Sequence, residues 1–144
     1  GRFQILPGQP TIIMDVAHNP HAAAVLEKNL GNMGFHPYTY AVFSMLSDKD
    51  IDSVVKHMAP RIDHWFCSAL PGPRGQSREA IQAKVQQILA NPDTKAPKDV
   101  QVSGFSNVKE AFAAARSKCN LDDRIVVFGS FLTVAEALNI KDDV

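Results

Sequence analysis

Short apolar runs alternate with stretches of helical period along the whole of this chain. Phe3, Ile5 and Leu6 form one strand-like run, closed by the pairing-breaking turn Pro7-Gly8-Gln9-Pro10. Thr11-Ile12-Ile13-Met14-Asp15 is a continuous apolar run ending in a carboxylate, the pattern of a strand buried on both faces. After Asn19-Pro20 a helix stripe follows at Ala22, Leu26, Leu30 and Met33. Pro20 suits its first turn, and Gly34 is expected in the left-handed position beyond its end. The exchange then repeats. Strands are predicted at Tyr38–Ser44, Asp63–Ala69, Val100–Phe105 and within Arg124–Ser130. Helix faces are marked by Ile51/Val54/Val55/Met58, Ile81/Val85/Ile88/Leu89 and Val108/Ala111/Phe112/Ala115. Asn107 with Glu110 has the spacing of a capping box, and a last short helix is expected near Leu132–Leu138.

Strands separated by helices of about 10–15 residues imply βαβ crossovers and a parallel sheet covered on both faces. The first two strands are joined by too few residues for a parallel crossover, so that pair is expected to be antiparallel. The expected fold is therefore a Rossmann-like α/β, three-layer αβα sandwich of about six strands, mostly parallel, with one antiparallel edge strand. A chain of 144 residues without repeats or an interior linker fits one domain.

Composition removes several functions. Lys+Arg 15 against Asp+Glu 15 leaves no basic excess, so no nucleic-acid partner is expected. No apolar run approaches the roughly 20 residues that span a bilayer, so no membrane partner is expected either. Cys67 and Cys119 stand in no CxxC or His-rich setting, against a zinc site or a disulfide scaffold. Gly1 opens the chain without a leader-like segment, and the abrupt start on a strand raises the expectation of a fragment from a longer, cytoplasmic protein.

Ligands of open α/β sheets bind beyond the carboxyl ends of the strands. At those ends lie Asp15-Val16-Ala17-His18-Asn19-Pro20, Ser44-Met45-Leu46-Ser47-Asp48-Lys49-Asp50, Pro71-Gly72-Pro73-Arg74-Gly75-Gln76-Ser77 and Gly129-Ser130-Phe131. Each has a plain structural role open to it. Asn19 and Ser130 suit helix caps, Ser47 with Asp50 suits an N-cap and first-turn acid, and Arg74 suits a solvated loop. Against that, a carboxylate, an imidazole and an amide crowd five residues beside a helix N-terminus, which favours anions. No G-x-x-x-x-G-K-[ST], G-x-G-x-x-G or G-x-S-x-G occurs. Asp15, His18 and Ser130 make a poor triad, because the first two share one tight loop.

In order and spacing, Asp15–Pro20, Met45–Asp50, Pro73-Arg74-Gly75 and Val127–Phe131 with Thr133-Val134-Ala135 closely resemble the C-terminal domain of the dihydrofolate synthase/folylpolyglutamate synthase family, in the Mur ligase superfamily. The opening Gly1-Arg2-Phe3 is similar to that family's junction between its central and last domains. The resemblance implies an ATP-dependent amide ligase: a carboxylate of dihydropteroate or a folate is phosphorylated, and the amino group of L-glutamate attacks the acyl phosphate. It implies a single glutamate-binding domain over residues 1–144, in a monomeric enzyme. The P-loop, and with it most of the hold on ATP and Mg2+, would belong to the preceding domain, so this chain alone would be inactive and hold no metal. Carried over by residue, Asp15 and His18 are implied as catalytic. Arg2, Asp15, His18 and Asn19 are implied at ATP, and Ser130, Arg74 and Lys49 at glutamate, with Asp48 in support. The sequence departs from the family pattern at Ser44, where glycine is common, and at Leu132, where an aromatic residue is common. The competing reading is a freestanding α/β module that binds a ligand or partner without catalysis.

Overall fold

The structure, a computed structural model, describes residues 3–142. Its elements are β1 (Gln4–Leu6), β2 (Thr11–Met14), α1 (Pro20–Gly31), β3 (Thr39–Phe43), α2 (Ile51–Met58), β4 (His64–Ser68), α3 (Arg78–Ala90), β5 (Gln101–Phe105), α4 (Val108–Lys118), β6 (Arg124–Phe128) and α5 (Phe131–Asp142). A single 3₁₀ turn, Ala59–Arg61, extends α2. The strands form one sheet in the order β1-β2-β6-β3-β4-β5. β1 pairs antiparallel with β2, with Ile5 opposite Ile13, and every other pairing is parallel. The expected mixed sheet with one antiparallel edge strand is what the chain forms.

Alternate side chains of the strands build two cores. Ile13, Ala41, Trp65 and Val126 pack beneath α1, α2 and α3 through Leu26, Val54, Met58, Ile81 and Val85. Ile12, Tyr40, Phe66 and Ile125 face the other way, against Phe112 and Ala115 of α4 and Val134 and Ala137 of α5. The two-residue period of the strands thus divides between two helical layers. Phe43, Trp65 and Phe128 meet edge-on or tilted, at centroid separations of 4.9 to 6.0 Å.

The helix ends correct three local expectations. Gly34 takes no left-handed conformation. Instead α1 stops at Gly31, and the N–H of Asn32, in right-handed geometry, bonds to the carbonyls of Lys28 and Asn29. Asp50, not Ser47, caps α2: its carboxylate accepts from Ser53 N at 3.1 Å, which also holds its pKa below the ordinary value. Asp52 supplies the first-turn acid there. Asn107 caps α4 as expected, but Glu110 reaches back to Ser106 N, one residue upstream of the cap. The last helix is longer than predicted and begins at Phe131.

Gly129 closes β6 in a conformation that L side chains avoid, with φ of 114°. A Cβ added there would overlap the carbonyl oxygen of Ser44. Backbone strain and steric overlap therefore act together, and Gly129→Ala is expected to lower stability by about 2 kcal/mol or more. Urea unfolding of the two chains side by side measures this.

Candidate functional site

β2, β6 and β3 lie side by side, and their carboxyl ends discharge three loops into one region. The chain leaves β2 and β3 for helices on one face and leaves β6 for α5 on the other. Divergence of this kind opens a crevice at the sheet's edge, the place where open α/β sheets hold ligands. Here the crevice has a volume of about 330 Å³. Val16 and His18 line it from the β2 loop, Leu46 and Lys49 from the β3 loop, and Gly129, Ser130 and Phe131 from the β6 turn. That size falls in the range of about 300–1,000 Å³ usual for small-molecule sites.

Polar residues in and beside the wall are held by their local backbone. Asp15 N donates to Val127 O at 3.0 Å, which extends the β2–β6 ladder one residue beyond the strand. The Asp15 carboxyl is half-buried, and that burial raises its pKa above the ordinary 3.8, opposed by a hydrogen bond from the backbone of Ala17. His18 lies 2.7 Å through Nδ1 from the carbonyl oxygen of Val16. A carbonyl only accepts, so Nδ1 carries the proton and Nε2 is left for other partners. Asn19 spends its side-chain oxygen on Ala22 N, at 2.8 Å, as the cap of α1. Ser130 caps α5, accepting from Thr133 N at 3.1 Å.

The family follows from this arrangement and from direct comparison. Residues 1–131 match the family model described as Mur ligase, glutamate ligase domain. The chain belongs to the Mur ligase family. It is 35% identical over 142 residues to the dihydrofolate synthase/folylpolyglutamate synthase of Escherichia coli K12, covering 99% of this chain and 30% of that protein. Its fold superposes on E. coli FolC in complex with DHPP and ADP at a TM-score of 0.82, with 34% identity over 99% of this chain and 31% of that one. The Yersinia pestis folylpolyglutamate synthase/dihydrofolate synthase with Mn, AMPPNP and L-glutamate bound gives 0.78 at 37% identity, over 99% and 31%. This Mur ligase domain thus spans roughly 30% of the length of each of these three relatives.

Of the residues predicted for the Mur ligase site, His18, Lys49 and Ser130 share the crevice. Asp15 and Asn19 flank His18 in the same loop, without being part of the wall. Arg74 stands apart. It is exposed, its guanidinium donates to Asp48 Oδ2 at 3.2 Å, and its carbonyl accepts from Ser47 N at 2.8 Å. It ties the β4–α3 loop to the β3–α2 loop rather than lining the crevice, and an exposed pair of this kind contributes little stability. Arg2 lies outside the described residues. Ser44 and Thr133 both lie in the motif segments, but the sequence did not show that their buried hydroxyls stand together behind Ser130. Nor did it single out the apolar lining by Val16, Leu46 and Phe131. These residues lie within the motif segments, but their part in the site becomes visible only when the loops meet.

The raised pKa of Asp15 has a definite sign in solution. The folded chain holds the Asp15 proton more tightly than the unfolded chain, so ionisation of this group lowers stability as pH rises from 3.8 through the folded value. Asp15→Asn, neutral at every pH, is expected to match the parent below pH 3.8 and to gain on it above the folded pKa. Melting temperatures across that range, or a carboxyl NMR titration of Asp15, measure it.

Proposed function

We propose that this chain is the glutamate-binding domain of an ATP-dependent amide ligase that adds L-glutamate to dihydropteroate or folates. It would follow a P-loop domain in a longer, monomeric, cytoplasmic enzyme. The observation that carries the proposal is the convergence of His18, Lys49 and Ser130 on one crevice at the divergence of β2, β6 and β3. The relatives' names, and the L-glutamate and nucleotide analogue bound to the Yersinia pestis protein, support this choice of substrates.

Amide ligation driven by phosphoryl transfer needs charge neutralised on the transferring group and an amine held in line. ATP, when bound, supplies the phosphoryl group that activates the carboxylate. His18, its Nδ1 proton fixed on Val16, would turn Nε2 toward the phosphoryl oxygens and donate a proton there when charged. Asp15, three residues earlier in the same loop, would face the reacting centre with it, and Asn19 sets the start of α1 so that its amide remains at the nucleotide edge. Lys49 and Ser130 would hold the carboxylates of glutamate, Lys49 by charge and Ser130 by a hydrogen bond. Arg74 and Asp48 brace the loop that carries Lys49. Among the described residues no three His, Cys, Asp or Glu side chains stand together as a metal site. In this reading, which rests on the family resemblance, Mg2+ would be held by the preceding domain, and no step is routed through a metal on this chain.

In the full-length enzyme His18→Ala is expected to lower kcat by about 100-fold or more, the usual loss for such a donor. Its melting temperature should stay within about 2 °C of the parent, because the side chain is exposed and its recorded hydrogen bond stays within its own loop. Steady-state kinetics with thermal melts check both. Unchanged kinetics would remove His18 from the reaction. The chain of residues 1–144 alone is expected to show no ATP- and glutamate-dependent ligation, and turnover by it would overturn the division between domains.

A further inference from the structure

We infer that Ser44 and Thr133 are positioning residues that make Ser130 an obligate hydrogen-bond donor toward a carboxylate in the crevice. The inference rests on the assignment of Ser130 to glutamate and adds how that hydroxyl is set.

Three hydroxyls stand in a row behind the crevice wall. Ser44 Oγ is bonded to Thr133 Oγ1, and Thr133 Oγ1 lies 2.9 Å from Ser130 Oγ. Ser44 and Thr133 are fully buried, whereas Ser130 keeps 7% of its surface open and lines the crevice. Proton order follows from satisfaction of buried donors. Among the described residues Thr133 Oγ1 is the one recorded partner of Ser44 Oγ, so the Ser44 hydroxyl donates to it. The reverse order would leave a buried O–H with no acceptor, which is costly. Thr133 must then donate elsewhere. Ser130 Oγ at 2.9 Å is a better acceptor than Ser44 O at 3.4 Å.

Ser130 Oγ therefore receives two donors, Thr133 Oγ1–H and, at 3.1 Å, Thr133 N–H. A hydroxyl has two lone pairs, and both are used. Its own proton has no acceptor left within this row and turns to the crevice. A group so placed accepts nothing from a ligand and donates to an oxygen anion. It favours a carboxylate over an amide NH2 or an ammonium. The arrangement is fixed by the tight turn at Gly129, whose close approach to Ser44 O sets β3 against the start of α5.

The test is kinetic, in the full-length enzyme with ATP and L-glutamate. Thr133→Val keeps the shape of the side chain and removes the middle hydroxyl. It is expected to raise KM for glutamate about 10-fold, the loss of one oriented bond to a charged group. KM for ATP should be unchanged and kcat within about twofold, while Thr133→Ser should restore the parental KM. Ser44→Ala, which leaves the α5 cap intact, should raise the same KM about threefold, because Thr133 Oγ1, no longer filled by the Ser44 donor, can accept from Ser130 and turn its own proton to Ser44 O. It carries the test if Thr133→Val fails to fold. Combining Ser130→Ala with Thr133→Val should cost no more than Ser130→Ala alone, because both act on one bond. A parental glutamate KM in Thr133→Val or Ser44→Ala, beside a raised KM in Ser130→Ala, would overturn the positioning role and leave Ser130 at glutamate. A parental KM in Ser130→Ala would overturn that assignment itself.

Discussion

Strand β6 runs through the middle of the sheet with β2 on one side and β3 on the other, and all of Arg124–Phe128 is buried. Nothing polar can emerge along its length, so the chain changes direction only at its end. There Gly129 bends past the carbonyl of Ser44, too close for any Cβ, and delivers Ser130 to the start of α5. That one turn fixes three things together: the spacing of β3 against α5, the buried hydroxyl row, and the crevice between the β2, β3 and β6 loops. The site is a consequence of burying a strand on both faces and allowing it one exit.

The two poles of the sheet are used differently. At the amino ends of β3 and β6, the polar groups of Arg124 and Asp123 are absorbed by the fold itself. Arg124 is buried and donates to Thr39 Oγ1 at 2.7 Å and to Leu30 O at 2.9 Å. Burial lowers its pKa, and the bonds offset the loss of water. Buried Asp123 accepts from Tyr38 N at 3.2 Å and Asn120 N at 2.8 Å. At the carboxyl ends, by contrast, His18 has one ring nitrogen bonded to its own loop and Lys49 enters none of the ion pairs among the described residues. One end closes the sheet, and the other presents donors to a ligand.

Much of this architecture could be read from periodicity alone. Both faces of β2, β3 and β6 are covered, so beyond their first residues, Thr11, Thr39 and Arg124, their runs are dominated by apolar side chains, and the short Pro7–Pro10 turn forces β1 to be antiparallel. Helix boundaries were harder, because competing caps lie within a few residues: Asp50 displaces Ser47, and α1 ends before Gly34 claims its end. The loops of the site were legible as motifs, yet their meeting was not. Arg74 pairs instead with Asp48, 26 residues away along the chain, a contact that only the fold reveals. Ser44 and Thr133 are small polar residues at strand and helix ends, 89 residues apart, and only the fold joins them.

A structure of the full-length enzyme with L-glutamate and a non-hydrolysable ATP analogue tests the central claim most directly. The account predicts glutamate in the crevice between the β2, β3 and β6 loops, with a carboxylate oxygen at hydrogen-bond distance from Ser130 Oγ and the nucleotide phosphates on the His18 side. Glutamate bound at the opposite pole of the sheet, or wholly within the preceding domain, would contradict it.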